Sequence, residues 1–205
     1  RCAFCGCASE VCTATERYDV YLDAVGKETQ AVASSLKSRL RVSSLHLGGG
    51  TPTVLDGKRL KKLVGVLQNS FDFSSCSELA IEAAPSVTSD EQLEALAKLG
   101  FNRISFGVQD FTQEVQAAVD RVQDLEHTIF LIEKARKLGF AINLDLMYGL
   151  PKQNPKTWSE TLEQTIDLHP NRLAVFGYAH VPWMRPNQQA IQESDLPDAI
   201  LRLEL

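Results

Sequence analysis

The residues best suited to chemistry stand at the start of the chain: Arg1-Cys2-Ala3-Phe4-Cys5-Gly6-Cys7. Cys2, Phe4 and Cys5 match the later part of a C-x3-C-x-aromatic-C loop. The three thiolates of such a loop hold three irons of a 4Fe-4S cluster and leave the fourth iron open to a ligand. The first of its cysteines is expected upstream of Arg1. A C-x2-C pair also fits half a zinc site or a thiol redox pair, and the cysteines alone leave these readings open. Zinc needs two more Cys or His at matching spacing, and only Cys7 is near. A redox pair usually opens a helix, whereas this stretch precedes any helical pattern. Cys12 and Cys76 stand apart and read as small buried or surface side chains. Neighbouring thiols without disulfide-like spacing favour a reducing compartment.

The second feature is the turn Gly48-Gly49-Gly50-Thr51-Pro52. No Gly-Lys-Ser/Thr follows it, which excludes a P-loop, and Pro52-Thr53 stands where the helix of a dinucleotide fingerprint should open. What remains is bare backbone whose N–H and C=O groups approach a small ligand closely, as the amino and carboxylate end of an amino-acid-like cofactor requires. Glu82 suits ribose hydroxyls, and Phe4 suits the face of an adenine.

The elements that must position these residues alternate strand and helix. Tyr18 to Arg39 reads as a helix and Ser44 to Leu47 as a strand. Leu60, Leu63, Val64, Leu67 and Phe71 repeat with helical spacing. Leu79 to Glu82 is a short strand, and Thr88 with Glu91 reads as a capping box opening the next helix. Leu99-Gly100-Phe101 and Leu138-Gly139-Phe140 repeat one helix-stop signal before strands at Arg103 to Phe106 and Ile142 to Leu146. A helix follows Pro155, and Arg172 to Tyr178 is the last strand. This repeat predicts a parallel sheet with helical crossovers. The apolar strands end in Gly48 to Thr51, Glu82, Gln109, Asp145 and Tyr178-Ala179-His180, and in parallel α/β folds such ends share one pocket.

Composition sets bounds. The 205 residues are 44% hydrophobic and 23% charged with a net charge of −5, as for one ordinary globular domain. No basic block supports nucleic-acid or membrane-surface binding, and no apolar run reaches membrane-spanning length.

The segments Cys2 to Cys7, Leu45 to Thr53, Ile81-Glu82, Gly100 to Phe111, Asp145 to Pro151 and Tyr178 to Trp183 resemble the radical S-adenosylmethionine enzymes, specifically the oxygen-independent coproporphyrinogen III oxidase family. The resemblance implies an α/β fold, a partial (β/α)6 TIM-like barrel truncated at both ends. Residues 1–185 would form the radical core and 186–205 the start of a connection to a C-terminal domain. It implies oxidative decarboxylation of two propionates of coproporphyrinogen III to vinyl groups in heme biosynthesis, through a 5′-deoxyadenosyl radical. The implied cofactors are one 4Fe-4S cluster and two S-adenosylmethionine molecules. Matched by motif, Cys2 and Cys5 ligate the cluster, and Gly49 and Glu82 hold the cluster-bound cofactor. Phe4, Gly50, Thr51, Gln109, Arg121, Asp145 and Ala179 contact the second molecule. Cys7 matches an extra catalytic cysteine that is not a ligand. Ala84 and Asp120 depart from the family's common Asp and Asn. The implied protein is a cytoplasmic monomer served by a flavodoxin- or ferredoxin-type electron donor, with no nucleic-acid or membrane partner. The alternative is a heme-chaperone relative on the same scaffold, which usually lacks the extra cysteine.

Overall fold

The structure is a computed structural model that describes residues 1–7 and 9–205. Strands β1 (Ser44–Leu47), β2 (Glu78–Ala83), β3 (Arg103–Gln109), β4 (Ala141–Tyr148) and β5 (Arg172–Gly177) pair in parallel, in sequence order, into one sheet. Helix α1 (Glu16–Ser35) precedes β1. The crossovers are α2 (Gly57–Ser70), α3 (Asp90–Lys98), α4 (Gln113–Ala118) with α5 (Leu125–Lys137), and α6 (Pro155–Asp167). Unreversed strand order is the winding of a barrel, since a doubly wound sheet changes direction at a switch point. The sheet stays open between β1 and β5, so the arrangement is a partial barrel.

Strand alternation divides the sheet into two chemically different faces. On β3, Ile104, Phe106 and Val108 are 0%, 0% and 1% exposed, packed with the helices' Leu60, Leu93, Leu96 and Leu131. Ser105, Gly107 and Gln109 alternate with them and face the other way. The register sets Glu82 beside Ser105, Ser105 beside Asn143, and Gly107 beside Asp145. Polar side chains of three strands therefore share the concave face.

Local signals explain most boundaries. Gly100 (φ +88°) and Gly139 (φ +91°) adopt the left-handed conformation that ends α3 and α5. Pro155 opens α6 behind an Asn154 cap. The capping box of α3 is shifted by one residue from the sequence expectation. Ser89 and Gln92 form it, while the Thr88 hydroxyl donates to the Ala84 carbonyl at 2.8 Å. Helix α1 stops at Ser35 rather than Arg39, whose guanidinium donates instead to the carbonyls of Gln68 and Phe71 at the end of α2. With six residues, α4 is too short to show an apolar repeat. Beyond β5, two 3-10 turns and a short helix α7 (Leu201–Glu204) complete the chain. Among the described residues no helix is long and apolar enough to cross a membrane.

Ile104→Ala should destabilise the protein by about 2–5 kcal/mol, the range for emptying a closed core site. Urea unfolding checks this, and a loss below about 1 kcal/mol would mean that the helix-facing side of β3 is not tightly packed.

Candidate active site

The cysteine loop is clamped over the concave face through its backbone. Ala3 is 6% exposed in a small apolar cluster with Val115, Val119, Leu150, Tyr178 and Ile191. Its N–H donates to the Val119 carbonyl at 2.9 Å. From the C-terminal segment, Asn187 Nδ2 donates to the carbonyls of Cys2 (3.2 Å), Ala3 (2.8 Å) and Cys5 (3.0 Å). Gln188 Nε2 reaches the Phe4 carbonyl at 3.3 Å. One carboxamide thus holds three carbonyls within four residues of the loop, and nothing in the local sequence around Asn187 announces it.

Beneath the loop lies a cavity of about 150 Å³ lined by Cys2, Phe4, Cys5, Cys7, Gly49, Gly50, Thr51, Glu82, Gln109, Arg121 and Asp145, with Ser105 and Gly107 on its floor. Every site residue expected from the sequence is there except Ala179, which is exposed and whose carbonyl accepts from Gln188 Nε2 at 3.2 Å. Tyr178 next to it turns into the core, 3% exposed, with its hydroxyl 2.8 Å from His180 Nδ1.

Each of the two sulfur atoms has a hydrogen-bond donor. The Cys7 N–H points at Cys5 Sγ (3.4 Å), and Arg121 Nη1 donates to Cys2 Sγ (3.2 Å). Hydrogen bonds to sulfur are among the features that set the potential of an iron–sulfur cluster. All five cysteines are free thiols. At Cys7, partial burial first and then the neighbouring Cys5 push the thiol above its ordinary value, so it stays neutral at neutral pH. Among the described residues no three His, Cys, Asp or Glu side chains converge as a metal site. Cys2 and Cys5 line the same cavity, and two thiols are what a cluster would take from this loop.

The glycine turn is shaped around Glu82. A Cβ on Gly48 would stand 2.7 Å from Glu82 Oε1, and Gly49 has φ +107°. A side chain at Gly48 would push the Glu82 carboxylate from its place, and one at Gly49 would be strained by its backbone conformation. The Glu82 carboxylate is held by the Gly49 N–H (3.2 Å) and lies 3.2 Å from His46 Nε2. His46 went unseen in the sequence because a lone histidine in a strand carries no pattern.

Asp145 sits deeper. Burial pushes its carboxyl above the usual carboxylate range, and donors from Ser105 Oγ (2.8 Å) and Asn143 Nδ2 (2.7 Å) oppose that shift. Arg121 Nη2 donates to the Gly107 carbonyl at 2.6 Å, while its Nε is buried without a partner. Gln109 holds φ +71° at the bulge ending β3, an uncommon conformation for a side-chain-bearing residue. An orphaned guanidinium N–H, a strained backbone at Gln109 and a half-buried carboxyl line one cavity, as a site for a polar ligand requires.

Cysteine loop, glycine turn and polar concave face of a parallel partial barrel together define a cofactor-dependent α/β enzyme core. The model of the Radical SAM superfamily matches residues 1–165, and the chain belongs to that superfamily. It is 42% identical over 205 residues to an oxygen-independent coproporphyrinogen III oxidase of Salmonella typhimurium, covering 100% of this chain and 45% of that protein. The corresponding protein of Synechocystis is 40% identical over 205 residues, again with 100% of this chain and 44% of the relative. The solved coproporphyrinogen III oxidase (HemN) of Escherichia coli, a radical SAM enzyme, superposes with a TM-score of 0.95 at 42% identity, over 99% of this chain and 47% of that one. The chain thus spans less than half the length of these relatives.

Two outcomes follow from the site. If Cys2 and Cys5 are the ligands the chain supplies, the 205-residue chain reconstituted anaerobically with iron and sulfide should not hold a stoichiometric 4Fe-4S cluster; iron content and absorption near about 400 nm report it. A full complement of iron would show that a further residue of the chain ligates. The second outcome concerns Asp145, whose raised folded pKa means that its ionisation opposes folding as pH rises through that value. Asp145→Asn should therefore be more stable than the native chain at pH 7, with the advantage shrinking as acid protonates Asp145. Urea midpoints across pH measure it, and an advantage that grows in acid would contradict the assignment.

Proposed function

We propose that this chain is the cofactor-binding core of an oxygen-independent coproporphyrinogen III oxidase, which converts two propionate side chains to vinyl groups and yields protoporphyrinogen IX. The observation that carries this reading is the convergence of Gln109, Arg121 and Asp145 with Cys2, Cys5, Gly49 and Glu82 on one cavity. The names of the relatives at 42% identity supply the substrate. For each propionate the balance is loss of one hydrogen atom, carbon dioxide and one electron to an acceptor. When bound, the cluster and S-adenosylmethionine supply the reducing electron and the hydrogen-abstracting radical.

The chain's own residues bind and orient. Cys2 and Cys5 ligate the cluster. Gly49 and Glu82 hold the amino-acid and ribose parts of the first cofactor, charge-assisted at the carboxylate. Phe4, Gly50, Thr51, Gln109, Arg121 and Asp145 take the second S-adenosylmethionine, with Ala179 joining through its backbone. The guanidinium suits a carboxylate, and the amide and half-buried carboxyl suit amine and hydroxyl groups. Cys7, a neutral thiol at the rim, keeps an exchangeable hydrogen beside the reacting side chain and acts catalytically. Its presence next to Cys5, with the names of the relatives, favours decarboxylation over a heme-carrying role. An electron donor of flavodoxin or ferredoxin type, a monomeric state and a cytoplasmic setting complete the proposal, the last in keeping with five free thiols.

In the full-length protein, Arg121→Ala should leave the cluster absorption and iron content intact. It should abolish protoporphyrinogen IX formation, followed by anaerobic chromatography of the oxidised porphyrins, while some cleavage of the first cofactor persists. Full turnover would rule out the second-cofactor role, and loss of the cluster would make Arg121 structural.

A further inference from the structure

Behind the cavity wall lies a carboxylate that the reaction does not use. Asp110 is 1% exposed, and among the described residues no Lys, Arg or His pairs with it. An unpaired buried anion is unfavourable unless hydrogen bonds replace its hydration. Here they come from three separate parts of the chain. Oδ1 accepts from the Thr112 N–H (2.6 Å) and from Thr161 Oγ1 of α6 (3.0 Å), and Oδ2 accepts from Gln153 Nε2 (2.6 Å). Gln153, 3% exposed, also donates to the Met147 carbonyl (2.9 Å) and accepts from the Leu150 N–H (2.9 Å), so it fixes the loop that follows β4.

The Asp110 main chain extends the web to the other wall residues. Its carbonyl accepts from Gln116 Nε2 (2.8 Å). The Gln116 side-chain oxygen takes the Gln123 N–H (2.9 Å), and the Gln116 carbonyl takes the Arg121 N–H (2.9 Å). Gln123 Nε2 returns to the Val108 carbonyl at 2.9 Å. Gln109 precedes Asp110 directly and holds φ +71°, a conformation that persists only where the surroundings over-determine it. Plain packing of two loops would be met by apolar side chains at lower desolvation cost. A buried charge with donors from three segments fixes direction instead.

We infer that Asp110 is a positioning residue: its buried carboxylate locks the β3 end, the β4 loop and α6 together and thereby presents Gln109, the residue before it, to the ligand. The inference rests on the proposed cofactor role of the cavity. It deepens that role by placing the control of ligand geometry in a residue the ligand never touches.

The test is a double-mutant cycle in the full-length, cluster-loaded protein. S-adenosylmethionine binding is measured by anaerobic calorimetry without reductant, so that no cleavage occurs. Asp110→Asn keeps the shape but sets an amide N–H₂ against a donor. It should weaken the second binding event by about tenfold or more, the loss typical of one charged hydrogen bond, with iron content unchanged. In a Gln109→Ala background the same substitution should add little, because both act through one side chain. Thr161→Val, which deletes one donor to Asp110 and the acceptor of the Phe111 N–H (3.2 Å) without touching the charge, should show the same non-additivity and serves if Asp110→Asn does not fold. Additive losses, or a lowered melting temperature with unchanged binding, would overturn the positioning role alone. Undiminished binding by Gln109→Ala would overturn the cavity reading and the inference with it.

Discussion

The sheet must bury one face and keep the other polar, and the site depends on that division. A parallel strand between helical layers is normally apolar on both sides. In β3 and β4 only alternate positions are: Ile104, Phe106, Ile142, Leu144 and Leu146 lie under the helices at 0% exposure. Ser105, Asn143 and Asp145 occupy the opposite side and satisfy one another, with Asn143 Nδ2 donating to Ser105 Oγ at 2.6 Å and to Asp145 at 2.7 Å. Period-two alternation thus does two jobs, closing the core and paving the cavity floor, and a one-residue slip of register would exchange them.

The lid of the cavity is held by a different device. The cysteine loop makes no regular secondary structure, so its carbonyls need partners from elsewhere. Asn187 and Gln188 provide them, and Ala3 anchors the loop in an apolar cluster with α4 and the C-terminal turns. Segments more than 180 residues apart in sequence meet here, so the position of the two thiols depends on the whole strand–helix path between them.

Much of this was legible in the chain. Strand β1 and the helix stops at Gly100 and Gly139 follow from local chemistry that tertiary contacts do not override. Most of the cavity's lining residues stand at strand ends or in the glycine and cysteine motifs, where spacing alone draws attention to them. Residues whose role is created by register were not legible: His46 beside Glu82, Ser105 and Asn143 around Asp145, and the Asp110 web. Each is an ordinary polar residue in a strand or loop until its neighbours are known. The α3 cap shows the same limit at short range, since Thr88-Glu91 and Ser89-Gln92 are both acceptable boxes and only the bond from Thr88 to Ala84 decides between them.

The central claim is that the concave face between the glycine turn and Arg121 holds the adenosyl cofactor. An anaerobic crystal structure of the full-length, cluster-loaded protein with S-adenosylmethionine tests it most directly. The account predicts cofactor density between the cysteine loop and the sheet, with ribose hydroxyls on Glu82, the amino-acid end on Gly49, and a second molecule against Gln109, Arg121 and Asp145. Cofactor density elsewhere on the protein, with this cavity filled only by water, would contradict it.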